Sequence, residues 1–236
     1  MGCGSSALVL GGLTTTEQAG GALIDGVLGR TNDGQPSKLV QSHALKLVYV
    51  KNNRETVSFK MDGMLVAKLA IESAFDGFVV RNASGNIGAV MLGSDQEVME
   101  SIWGRESKRK FVKRIATVYS ATPRREGQKD ALTVEGVPLY EWATITIMPT
   151  CVTGGSSFAS VVRPYGSSTE APQMVVHSVP NSIGAKVTSG QSNELIGKCA
   201  ALNIKVGAGV DPMLIALAMI DFDGYADNHG VSPSLA

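Results

Sequence analysis

Near its end the chain carries the run Val210-Asp211-Pro212-Met213-Leu214-Ile215-Ala216-Leu217-Ala218-Met219-Ile220-Asp221-Phe222. Asp211 is a good helix N-cap, and Pro212 suits the first turn of a helix. The eight residues from Met213 to Ile220 are then apolar on every face, Leu214, Leu217 and Ile220 among them. A helix hydrophobic all round has to lie in a protein core or in lipid. Pro212 to Phe222 gives about 16 Å of helix, and a bilayer core is about 30 Å thick. This segment is too short to span, so the expected helix, at about 211–222, is enclosed by protein and structural in role.

What encloses it is readable upstream. Thr56-Val57-Ser58-Phe59-Lys60-Met61 alternates polar and apolar, the period of a strand with one buried face. Comparable runs occupy 43–51, 54–60, 64–70, 75–81, 86–92, 109–120, 140–148, 157–163, 173–179, 183–188, 194–199 and 201–206, about twelve in all. Asn82-Ala83-Ser84-Gly85 predicts a hairpin turn. Ser94-Asp95-Gln96-Glu97 has the form of a capping box and predicts a short helix towards Trp103. Many short strands with frequent turns indicate a sandwich or barrel. A barrel with a lumen can wrap the apolar helix, which makes the expected fold mainly β: a closed antiparallel barrel of about twelve strands around a central C-terminal helix.

The remaining organisation is simple. Residues 1–40 are rich in Gly, Ala, Ser and Thr without sustained period, and read as a flexible tail or linker, with a short helix an option around Thr16 to Leu28. The barrel domain is expected over 41–226, followed by a C-terminal tail at 227–236. Three segments carry a resemblance. Val206-Gly207-Ala208-Gly209-Val210-Asp211 resembles the approach to the central helix in the LURP-one-related family, which belongs to the wider group of tubby C-terminal domains and phospholipid scramblases. Phe78-Val79-Val80-Arg81-Asn82-Ala83-Ser84-Gly85-Asn86 is similar to that family's strand–turn–strand hairpin, and Gly136-Val137-Pro138-Leu139-Tyr140-Glu141-Trp142-Ala143 to a mid-domain strand. The resemblance covers roughly residues 43–225 and implies a twelve-stranded barrel around a hydrophobic helix. It departs from the scramblases where they bind calcium, because Ala200 to Gly209 holds no carboxylate. The tubby-type phosphoinositide ligands find no residue-by-residue counterpart.

Charge excludes one class of partner. With 21 basic and 21 acidic residues the chain has no whole-protein nucleic-acid footprint. The local exception is Arg105-Glu106-Ser107-Lys108-Arg109-Lys110-Phe111-Val112-Lys113-Arg114, joined further on by Arg124 and Arg125. Arg105, Lys108, Arg109, Lys110, Lys113 and Arg114 can attract anionic phospholipid, each basic group contributing about 1 kcal/mol near such a surface. The competing reading, favoured by the zero net charge, is a solvated strand face on which lysine blunts aggregation.

Met1-Gly2-Cys3-Gly4-Ser5-Ser6 matches the N-myristoylation pattern, with Cys3 a palmitoylation site beside Gly2. One myristoyl chain binds membranes only marginally, so a second signal is required. No Lys or Arg precedes Arg30, which leaves Cys3 for that role.

No catalytic or metal-ligating set emerges, and no cofactor is expected. Cys3, Cys151 and Cys199 are far apart and odd in number, which suits a reducing compartment. Asp221-Phe222-Asp223-Gly224-Tyr225-Ala226-Asp227 misplaces the glycine of a calcium loop and reads as a solvated helix end. Pro212 stands at the third glycine position of a dinucleotide fingerprint, and the three histidines have no nucleophile signature around them. His177 reads as a satisfied barrel residue.

The expectation is therefore a non-enzymatic module at the cytoplasmic face of a membrane, binding lipid or an unknown protein partner. The alternatives are a scramblase-like lipid transporter and a small-ligand carrier or enzyme built on a β-barrel.

Overall fold

The computed structural model describes residues 26–28, 45–51, 56–72, 77–102, 105–152, 155–166, 172–178, 184–200 and 203–228. Among these residues thirteen strands precede one helix: β1 (Leu45–Lys51), β2 (Thr56–Met61), β3 (Met64–Glu72), β4 (Gly77–Asn82), β5 (Ile87–Ile102), β6 (Arg105–Ser120), β7 (Leu132–Val134), β8 (Val137–Val152), β9 (Gly155–Pro164), β10 (Met174–Ser178), β11 (Gly184–Ser189), β12 (Leu195–Ala200), β13 (Asn203–Val206) and α1 (Pro212–Asn228).

All neighbouring strands are antiparallel and most pair as hairpins, but two pairings join strands that are not consecutive. β1 pairs with β13, Leu45 opposite Val206, and β6 skips β7 to pair with β8, Ser120 opposite Tyr140 through to Arg114 opposite Ile147. With the order β6-β5-β4-β3-β2-β1-β13-β12-β11-β10-β9-β8, that last pairing joins the two ends, so twelve strands form a closed ring. Over the length where β6 and β8 pair, closure removes the open edges that would otherwise template aggregation.

The period of two decides what fills the ring. Along β4, Val80 joins the interior cluster and Val79 the exterior one. The interior cluster gathers Phe59, Leu69, Val80, Met91, Val118, Ile145, Val162, Val176, Val187, Ile196 and Ile204 from eleven of the strands, with Met213 to Met219 of α1 at their centre. Leu214 and Leu217 are buried, Pro212 is buried beside them, and Ile220 is half-buried against the same cluster. A helix apolar on every face is thus met by strands on every side. The exterior cluster covers one wall only: β7 and the start of β8 fold back so that Leu139 joins Val79, Ile87 and Val90. The tip of that hairpin is tied to β4 by a two-bonded ion pair, Arg81 donating to Glu135 at 2.6 and 3.0 Å.

Three expectations need correction. The capping box at Ser94 to Glu97 opens no helix, because those residues run through β5 and pair with β6, Ser94 opposite Ile115 and Glu97 opposite Val112. Local capping chemistry gives way to a ladder of strand pairs. The helix also continues to Asn228, 17 residues or about 25 Å, rather than ending near 222. Lastly, Gly26 to Leu28 form a turn, and Val27 is fully buried in the interior cluster, so the linker docks at that point. The rest of the 1–40 tail, including Gly2, Cys3 and most of the helix considered over 16–28, lies outside the described residues, as does the tail beyond 228.

Candidate functional site

Polar chemistry in this barrel is concentrated at the two ends of the buried stretch of α1, each marked by a buried aspartate. Ten helical steps, about 15 Å, separate Asp211 from Asp221.

At the first end, the mouth, Asp211 caps the helix as expected. Its Oδ1 accepts the Met213 N–H at 2.9 Å, and the Leu214 N–H also bonds to the carboxylate. The other oxygen accepts the Val27 N–H at 2.7 Å, from 184 residues away. Leu28 then packs over β5 so closely that a Cβ on Gly88 would lie 2.9 Å from a Leu28 methyl. A side chain at position 88 would have to displace that methyl. Burial raises the Asp211 pKa, against the opposing pull of the three N–H groups and of Arg124.

Arg124 follows β6 in a loop that the Gln128 side chain holds in place. Gln128 accepts the Arg124 backbone N–H at 2.9 Å and donates to the Glu141 carbonyl at 2.7 Å. The guanidinium lies over the Trp142 ring, 5.3 Å from its centroid, and donates to the Trp142 carbonyl at 3.3 Å. Burial lowers the Arg124 pKa, and neighbouring Arg125 adds to that, while Asp211 opposes both. Trp142 is buried, and its indole Nε1 has no hydrogen-bond partner among the described residues.

At the second end, the fork, the β6–β8 ladder stops at Arg114 and Ile147; beyond it β6 continues with β5, and β8 with β9. Arg114 shares the inward parity of Ala116 and Val118 and donates from Nε to Asp221 at 2.6 Å and from Nη1 to Asp95 at 3.0 Å. Gly93 on β5 makes room for it, since a Cβ there would collide with the guanidinium. Side-chain exposure falls from 37% at Asp95 to 15% at Arg114 and zero at Asp221. Burial weakens the Arg114 charge, but the two carboxylates outweigh it and its pKa rises. For Asp221 burial dominates over Arg114 and the pKa is also raised. Because the guanidinium stays protonated throughout, the proton equilibrium of this pair resides on the carboxylate, whose Oδ2 is buried without a partner among the described residues.

Of the six basic residues expected to face lipid, Arg114 is therefore engaged inside the barrel. Lys113 is half-buried on β6, and Arg105, Lys108, Arg109 and Lys110 fall on the outer part of β6, whose side chains lie outside the described residues. Asp221, read from sequence as part of a solvated helix end, is buried instead. Two signals pointed to it: a lone acid directly after eight apolar residues, and an arginine in step with the inward residues of β6. His177 is exposed on β10 with Nε2 3.1 Å from Thr188 Oγ1, and burial lowers its pKa. Cys199 is buried and its thiol pushed up to about 12, which keeps it protonated and unreactive.

The X-ray structure of a protein from Arabidopsis thaliana matches this barrel with a TM-score of 0.51 at 14% sequence identity, over 80% of this chain and 95% of that one. The likeness is one of fold. No protein-family model matches the sequence, and no curated protein matches it either.

Proposed function

We propose that the protein is a non-enzymatic, membrane-associated module of the LURP-one and tubby-like type, which binds lipid or docks a partner on its outer surface. The observation that carries this reading is the filled lumen: α1 occupies the centre of the ring from Met213 to Met219, where a carrier or barrel enzyme would hold its ligand. Recognition then falls to the exterior and to the barrel ends. Attachment is assigned to Gly2 and Cys3, by myristoylation and palmitoylation, since two acyl chains give stable anchoring where one does not. The outer part of β6, Arg105 to Lys113, adds attraction to anionic phospholipid on the cytoplasmic face.

A scramblase-type mechanism would require α1 to leave the barrel for the bilayer. That move breaks the bonds at Asp211 and the Arg114–Asp221 pair, and no described helix is long and apolar enough to cross a membrane. Membrane fractionation of full-length protein tests the proposal. Wild type is expected in the membrane fraction, with Gly2→Ala and Cys3→Ser released to the soluble fraction. Entirely soluble wild-type protein would overturn it.

A further inference from the structure

Five neighbouring strands, β10, β11, β12, β13 and β1, form a wall of the ring that carries lysines and no acidic residue. Alternation places the lysines of β11 to β13 on its outer face. Lys186 is flanked by Ala185 and Val187, Lys205 by Ile204 and Val206, and Lys198 is followed by Cys199, all members of the interior cluster. Register then lines the lysines up. Lys186 stands opposite Lys198, Lys198 opposite Lys205, and Lys205 opposite Lys46. At about 4.8 Å per strand the row runs roughly 14 Å around the barrel. Lys186 is exposed, and Lys198 and Lys205 are half-buried, as stems laid along a wall with their charged heads in water would be. Like charges at directly opposed positions are destabilising, and this wall repeats that arrangement three times in succession. The basic run of β6, on the far side of the ring, differs, because its partner β5 carries Asp95, Glu97 and Glu100.

From this register we infer that the wall of β11, β12, β13 and β1 is the surface that lies against an anionic membrane, with Lys186, Lys198 and Lys205 towards the phospholipid headgroups and position 46 continuing the row. It is the contact surface of the membrane-associated module proposed above, and its assignment rests on that reading. The residue types select the partner. Lysine is a compact charge on a flexible stem, suited to a plane of mobile headgroups, whereas planar two-bonded recognition is the work of arginine, which these five strands lack. A protein partner calls for aromatic or large apolar anchors at the centre of the patch. Among the described residues the exposed large apolar side chains are Met64, at the start of β3, and Tyr165, after β9, both off this wall.

The test is co-sedimentation of full-length Gly2→Ala protein, which cannot be myristoylated, with phosphatidylcholine vesicles containing or lacking phosphatidylserine. Binding is expected only with phosphatidylserine, and to weaken as salt rises. Lys186→Gln should weaken it about fivefold, and the triple variant with Lys198→Gln and Lys205→Gln about a hundredfold. Lys129→Gln removes the same charge from an exposed position in the loop after β6, and should weaken binding less than about twofold. Relief of like-charge neighbours should leave the triple variant with a thermal midpoint at or above that of wild type, and the exposed Lys186 gives a single substitution that reads the wall without a demand on folding. No binding to phosphatidylserine vesicles, equal losses from Lys129→Gln and Lys186→Gln, or a triple variant that binds like wild type overturns the inference. Binding that survives the triple substitution and falls with Lys108→Gln and Lys110→Gln would assign the lipid to β6, which keeps the proposed function and removes this wall. Capture of a polyglutamate peptide through these lysines, with phosphatidylserine vesicles left unbound, would assign the wall to an acidic protein and overturn it equally.

Discussion

The buried stretch of the central helix is bounded by two buried aspartates, Asp211 and Asp221, yet they are neutralised by different means. Asp211 is held by backbone N–H groups, two from its own helix and one from Val27. Asp221 is held by a side chain, Arg114, reaching across from β6. Backbone donors cannot swing away, so the mouth locks the chain path of the linker to the helix start. A guanidinium on a flexible stem can, and at the fork it also contacts the exposed Asp95. The mouth is therefore the fixed end of the barrel and the fork the adjustable one.

Substitutions at the two carboxylates measure that difference. Asp211→Ala removes a helix cap and strands the Val27 N–H, and should cost about 2–4 kcal/mol in urea unfolding. Asp221→Asn should cost less, about 1–3 kcal/mol, because Arg114 is partly exposed and keeps Asp95 as a partner. If the second exceeds the first, the contrast between a fixed and an adjustable end is wrong.

Acidification sharpens the comparison. The folded pKa of Asp221 lies above its unfolded value, so in the interval between them the folded state holds more protons, and the contribution of this group to stability rises as pH falls. The stability gap between wild type and Asp221→Asn is accordingly expected to shift in favour of wild type as pH drops from 7 towards the ordinary carboxylate range. Urea midpoints across that interval check the sign, and a shift the other way would mean that the ion pair outweighs burial. The smallest effect belongs to a third acid. Glu135 is exposed, and its pair with Arg81 lowers its pKa through hydrogen bonding. Glu135→Gln should leave the unfolding midpoint within error of wild type, since exposed pairs contribute little.

How much of this was legible follows from the range of each interaction. Strand alternation and the all-apolar helix are local patterns, and every one of the twelve barrel strands overlaps an expected run. The three-residue β7 was too short to carry a period. The middle of β5 misled because Ser94 to Glu97 satisfy a local capping rule, while the β6 partners that override it lie 15 to 21 residues on. The polar ends of the barrel were least legible. Arg114 meets Asp221 across 107 residues, and Val27 meets Asp211 across 184. Read as composition, Arg114 belongs to a basic run and Val27 to a glycine-rich linker; only closure of the ring gives them their roles. The N-cap function of Asp211 was readable because its helix partners are two and three residues away.

The central claim is that α1 is the fixed core of a closed barrel and does not leave it. Native-state hydrogen exchange tests this most directly. The amides of Ile215 to Met219, together with the Val27 amide, should exchange only through global unfolding, as slowly as the most protected strands. Exchange of those helix amides ahead of the barrel strands would contradict the account, because it would show α1 escaping from an intact ring.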